Sequence, residues 1–249
     1  MIQGSCLCGA VRWTYNGAFE RMTHCHCGMC RKAHGAPFAT YAVGPSAPFA
    51  YASGEDSKIT FESSPAFMRS FCKHCGSVLP NTDLGDIVAI PAGGIEGDPG
   101  LAPSRHIFTK WKAPWHTISD ALPQHDNYPG AAEPAVDRAL PAASTDGVLR
   151  GSCLCGKVAY EVTGAFIGVH NCHCSRCRKA RAAAHTTNGF TAFGDVRYTR
   201  GGDTLTTYHP DGARYFRQVF CPDCGSGLPR LDEERQVAVL PFGSLDDDP

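Results

Sequence analysis

The sequence predicts a mainly β chain made of two copies of one small domain, with helix confined to short turns. Three observations predict it. Four motif blocks recur in the same order, the cysteines gather in close pairs, and short β-branched or aromatic segments lie between Gly, Pro and Ser.

The repeat sets the organisation. GSCLCGA at 4–10 answers GSCLCGK at 151–157, and HCHCGMCRKA at 24–33 answers NCHCSRCRKA at 171–180, both 147 residues apart. FCKHCGSVLP at 71–80 answers FCPDCGSGLP at 220–229 at a separation of 149, so the second copy gains two residues between these motifs. AIPAGGIEGDP at 89–99 answers VLPFGSLDDDP at 239–249. All 14 cysteines fall inside these blocks, seven in each copy. The expected division is a first domain over 1–126, an Ala- and Pro-rich linker over 127–147, and a second domain over 148–249. Only the first copy carries the tail GLAPSRHIFTKWKAPWHTISDALPQHD.

Within the first copy, VRWTY at 11–15, FATYAV at 38–43, KITFES at 58–63 and DIVAIPA at 86–92 read as strands. VAYEV, VRYT, TLTTYH and QVAVLPF repeat the theme in the second. The stretch around CRKA alone promises helix. In β-rich units of about 100 residues, bound metal adds stability that a modest core does not supply.

The net charge of −1 and pI near 6.8 give no electrostatic reason to expect nucleic acid or an anionic membrane as partner. No stretch approaches the roughly 18 apolar residues that span a bilayer. The start MIQGSCLCGA lacks the basic flank and apolar run of a secretory signal, which predicts a soluble, cytoplasmic chain. In that reducing setting, C-x-C and C-x-x-C pairs favour metal over disulfides.

Two kinds of zinc site are expected. Cys6 and Cys8 stand two apart on a strand and share a face, while Cys72 and Cys75 with Gly76 form a knuckle turn. Together they offer four thiolates, a closed structural tetrahedron, and Cys153, Cys155, Cys221 and Cys224 repeat it. Cys25, Cys27 and Cys30 remain, matched by Cys172, Cys174 and Cys177. Three thiolates can bind one Zn²⁺ and leave a place for substrate, the arrangement of catalytic zinc. Closure by a histidine and a metal-free thiol cluster are the alternatives. His26 and His173 alone recur within the triad, each between two ligands and pointing away from them.

Arg31, Lys32, Arg178 and Lys179 follow the triads. They read either as solvated basic pairs or as a cationic rim that binds a carboxylate-bearing substrate. Ser77 and Ser226 read as turn residues. Trp111, Trp115 and His116 in the tail are candidates to wall a pocket or to join the core.

GSCLCGAV, CHCGMCRK, FCKHCGS and the tail HIF…W…I-D-LP resemble the glutathione-dependent formaldehyde-activating (GFA) family, which includes the centromere protein V group. The resemblance covers 2–125 and 149–249. It implies two tandem zinc-binding β domains of an Mss-four-like fold, with a carbon–sulfur lyase activity that makes S-(hydroxymethyl)glutathione. It also implies structural zinc on Cys6, Cys8, Cys72 and Cys75 and catalytic zinc on Cys25, Cys27 and Cys30, with the same sets in the second copy. Glutathione, or another thiol, and a small aldehyde are the implied partners. The competing readings are a non-catalytic tandem zinc module and a thiol-responsive zinc protein.

Overall fold

The computed structural model describes residues 1–65, 67–131 and 139–249. Residues 132–138 of the expected linker lie outside the described residues. The first copy opens with β1 (Ile2–Ser5), β2 (Arg12–Tyr15) and β3 (Arg21–Cys25), then α1 (Gly28–His34). It continues through β4 (Ala39–Pro45), β5 (Phe49–Ser53), β6 (Lys58–Ser64) and β7 (Phe67–Cys72). β8 (Asn81–Leu84), β9 (Ile87–Pro91) and β10 (Ile95–Glu96) follow, and the tail adds β11 (His106–Ile107) and β12 (Gln124–His125). After β13 (Ala142–Ala143), the second copy begins with β14 (Leu149–Ser152), β15 (Ala159–Val162) and β16 (Gly168–Cys172). Next come α2 (Ser175–Arg181), β17 (Thr186–Ala192), β18 (Val196–Arg200) and β19 (Thr206–Tyr208). β20 (Gln218–Phe220), β21 (Arg230–Asp232), β22 (Val237–Pro241) and β23 (Asp247–Asp248) close the chain.

Each copy places a small sheet beside a larger one. The small sheet runs β10-β1-β2-β5 in the first copy and β14-β15-β18 in the second. The larger sheet runs β12-β11-β3-β4-β9-β8 and β16-β17-β22-β21, and β6-β7 and β19-β20 are separate hairpins. All eight segments read as strands from the sequence contain one. The cysteine-bearing strands β3, β7 and β16 escaped that reading because their apolar faces are interrupted by motif residues. The helices are short for a reason visible at both ends. Cys27 and Cys174 cap them, their sulfurs accepting from the N–H groups of Cys30 and Cys177, and Gly35 and Ala182 end them in the left-handed region.

The tail changes the larger sheet. β11 adds to β3 in parallel, pairing His106 with His24 and Ile107 with Cys25. Among the described residues no strand covers the corresponding edge of β16, whose first four residues are exposed. Part of the expected linker packs on the second copy, where β13 pairs with β23.

The copies dock reciprocally. Lys32 Nζ on α1 donates to Ser152 O, Ser152 Oγ and Ser244 O at 2.8, 3.1 and 2.7 Å and pairs with Asp246 at 2.6 Å. Lys179 on α2 returns the contact to Ser5 Oγ and Glu96. The backbones meet closely enough to require glycine. A Cβ on Gly243 would lie 2.4 Å from Ala36 N, and one on Gly93 would lie 2.4 Å from Ala183 N. Met29, Phe61 and Trp115 of the first copy pack against the apolar core of the second, which joins the copies through a shared interior.

Candidate metal centres and the cavities beside them

In the first copy, Cys6 and Cys8 leave β1 on a turn, and Cys72 ends β7 just before the Cys75 turn. Gly76 allows that turn at φ 71°. Cys6 Sγ lies 3.4 Å from Cys8 Sγ, and Cys8 Sγ lies 3.7 Å from Cys72 Sγ. Metal–sulfur bonds of about 2.3 Å in a tetrahedron set sulfurs about 3.8 Å apart, so the donor set fits an ion. Cys153, Cys155 and Cys221 repeat the spacings at 3.4 and 3.7 Å. Ser77 and Ser226 support these groups, accepting from the Leu7 and Leu154 N–H. Hydrogen bonds from Cys6, Cys72 and Cys8 push the Cys75 thiol pKa down, while those to Cys6, Cys75 and Cys8, with burial, push that of Cys72 up.

Cys25, Cys27 and Cys30 also converge, their sulfurs within 4.8 Å of one another. They come from the end of β3, the cap and the first turn of α1, and all three are buried. No histidine or carboxylate joins them among the described residues. His26 turns away, as its position predicts: Nε2 meets His106 Nδ1 at 2.8 Å, and His106 Nε2 meets the Asp120 carboxylate at 3.0 Å. Because Asp120 accepts, His106 Nδ1 is the acceptor and His26 Nε2 the donor. Burial pushes the His26 pKa down to about 3, so the His26 ring is neutral in this fastener between triad turn and tail.

The first triad lines a cavity of about 660 Å³. Phe67, Leu79 and Ile87 supply apolar wall, while Phe108 and Tyr128 bring tail and early linker to its rim. Arg69 is its buried cation, with Nη2 3.6 Å from Cys30 Sγ. Burial is the largest single influence and opposes the guanidinium charge, but Cys30, Tyr41 and Cys27 together outweigh it and keep Arg69 protonated. Hydrogen bonds from Cys25 and Cys27 hold Cys30 well below the usual thiol value, with Arg69 adding to the effect. Tyr41 Oη sits between Arg69 Nη1 at 3.5 Å and His34 Nε2 at 2.8 Å.

The second triad is open by comparison. Cys174 is exposed, and Cys172 and Cys177 are half-buried. Cys172 and Cys177 line a smaller cavity of about 260 Å³ with Arg181, Gln218 and Arg230.

The expected cationic rim lies elsewhere. None of Arg31, Lys32, Arg178 and Lys179 lines the cavity at its own triad. Lys32 is 3% exposed in the seam between copies, Lys179 answers it there, Arg31 is buried, and Arg178 faces solvent. Arg21, Arg69 and Arg105 line the first cavity and Arg181, Arg217, Arg230 and Arg235 the second, none of which motif reading picked out. One signal was available. Residues four apart share a helix face, and Arg181 follows Cys177 by four, whereas Lys32 follows Cys30 by only two and points away.

Two cysteine-rich β copies, each with one four-thiol and one three-thiol group of converging sulfurs, define a protein whose cysteine groups could each hold a metal ion. The family model described as glutathione-dependent formaldehyde-activating enzyme matches residues 1–111 and again 148–249. The chain belongs to that family. A crystal structure of a Rhodobacter sphaeroides protein is 25% identical, spans 39% of this chain and 87% of its own, and has a TM-score of 0.33, a likeness too slight to carry an argument. No curated protein matches the chain. No helix among the described residues is long and apolar enough to cross a membrane.

Proposed function

We propose that the chain is a zinc-dependent enzyme of the carbon–sulfur lyase type. It forms or cleaves the adduct of glutathione, or another thiol, with a small aldehyde such as formaldehyde. The first copy is its principal site. One observation carries this reading: the first triad has no fourth protein donor among the described residues and borders a cavity of about 660 Å³.

Zinc held by Cys25, Cys27 and Cys30 would supply Lewis acidity that lowers the pKa of a substrate thiol toward neutrality. The chain's own residues do the rest. Three thiolates against a dication leave the site net negative, and Arg69 at the Cys30 sulfur offsets one charge as substrate sulfur approaches. Phe67, Leu79 and Phe108 exclude water and confine sulfur and aldehyde carbon to one small volume, where proximity favours addition. The C–S bond forms at the carbonyl carbon, and the proton lost by the thiol ends on the former carbonyl oxygen. The His26–His106–Asp120 chain holds the triad turn against the tail.

One observation favours a different role for the second copy. Its exposed Cys174 suits exchange with the thiol pool more than enclosed chemistry. Zinc content, glutathione calorimetry and aldehyde turnover test both readings in Cys27→Ser and Cys174→Ser. Loss of glutathione binding and turnover in Cys27→Ser, with most turnover kept in Cys174→Ser, is the expected outcome. Equal losses would defeat the assignment to the first copy.

A further inference from the structure

We propose that the second copy holds a binding site for a small organic anion, a carboxylate or phosphate ester, gripped by Arg181, Arg230 and Gln218. The site is independent of the chemistry proposed for the first copy.

Three buried donors in this cavity are left without an acceptor. Arg181 Nη1, Gln218 Nε2 and Arg230 Nε find no hydrogen-bond partner among the described residues. Gln218 is 2% exposed, so its amide reaches no bulk water. An unmade hydrogen bond at a buried polar group costs about 1–3 kcal/mol, and a ligand offering acceptors recovers it. Arg217 and Arg235 stand at the mouth, and no Asp or Glu is among the described residues lining the cavity. Arg235 is partly engaged, 3.9 Å from Asp232 and stacked over Tyr215. Burial pulls the Arg181 pKa down to about 10, so its charge is held at a cost that a bound anion relieves. Planar guanidinium groups match the paired oxygens of carboxylate or phosphate.

The copies show that the site is built. Position for position, His34 gives way to Arg181, Val78 to Gly227, Asn81 to Arg230 and Arg69 to Gln218. The exchanges are sterically linked. A Cβ on Gly227 would lie 1.2 Å from Arg181 Nη1, so the glycine leaves the room that the arginine fills. Between the copies the buried strand cation Arg69 is replaced by Gln218, while Arg181 appears at the helix end and Arg230 on β21. At about 260 Å³ the cavity holds the volume of roughly nine waters at about 30 Å³ each, which suits a compact anion and not a peptide.

Calorimetric titration of the full zinc-loaded chain with malonate, and separately with inorganic phosphate, tests the site. The variants are Arg230→Gln, which keeps bulk without charge, and Gly227→Val, which restores the first copy's residue and evicts Arg181. Arg197→Gln, on a surface arginine paired with Glu161, is the control. Saturable binding that weakens tenfold or more in Arg230→Gln and disappears in Gly227→Val, with Arg197→Gln unchanged, is expected. Tighter malonate assigns a carboxylate ligand, and tighter phosphate assigns a phosphate ester. No saturable heat from either probe overturns the proposal, as does equal weakening in Arg197→Gln. If Gly227→Val fails to fold, Arg230→Gln decides.

Discussion

Replacing Lys32 by Met should loosen the seam between the copies far more than the same change at Lys179. Lys32 Nζ is buried and satisfies the Ser152 and Ser244 carbonyls, Ser152 Oγ and the Asp246 carboxylate. Methionine keeps the packing of the stem and removes every one of these bonds. Breaking a buried pair from one side costs about 3–5 kcal/mol. The Asp246 side chain is 36% exposed and recovers water, so the lower end applies, about 3 kcal/mol. Lys179 is 26% exposed and its partner Glu96 is 37% exposed, which places that pair near the surface regime at about 1 kcal/mol. Urea unfolding of the zinc-loaded chain measures the difference. With a slope near 3 kcal/mol per molar, the Lys32→Met midpoint falls by about 1 M and the Lys179→Met midpoint by about a third of that. A Lys32→Met midpoint within error of Lys179→Met would refute the reasoning.

Two further outcomes follow from burial. Chelator should strip the second triad, with its exposed Cys174, before the buried first triad, giving two kinetic phases of metal release of which Cys174→Ser removes the faster; a single phase contradicts this. His34 is fully buried and its pKa is pushed down to about 4 by burial, so it stays neutral when folded and binds a proton more readily when unfolded. Its contribution is present above the unfolded value of 6.5 and lost as pH falls toward 4. Between pH 7.5 and 5 it therefore removes about 2 kcal/mol, and His34→Gln should show a correspondingly smaller loss of stability by urea titration at the two pH values.

The cysteine framework and the strands were legible because each depends on local spacing. The C-x-C pairs were expected on a strand and instead sit on the turn that follows it, β1 ending at Ser5 and β14 at Ser152. The short spacing still brings both sulfurs together, and β-branched runs between Gly and Pro form strands in both copies. The cationic rim was misplaced because it depends on which way α1 faces. A seven-residue helix turns about 100° per residue, so Lys32 lies about 200° from Cys30 and meets the other copy. Arg69 was invisible for a different reason. It reaches Cys30 from a hairpin 39 residues away, and no motif records that approach.

The docking of the copies governs how either site can be studied. Met29, Phe61 and Trp115 of the first copy complete the apolar interior of the second, and Tyr208 of the second packs against the Cys6–Cys75 group of the first. His34, which holds Tyr41 in the wall of the first cavity, also bonds Arg181 O at 2.7 Å. The same arginine's side chain shapes the second cavity. The two cavities thus meet through one residue pair, His34 and Arg181. Because Arg181 O accepts, His34 Nδ1 carries the proton and Nε2 must receive the Tyr41 hydroxyl. A shift of Arg181 backbone therefore reaches the Tyr41–Arg69–Cys30 contacts directly. Excising either copy would remove one end of this connection and expose shared core, so a change in activity after truncation would report the broken seam and not the missing cavity. Point substitutions inside the intact chain separate the two.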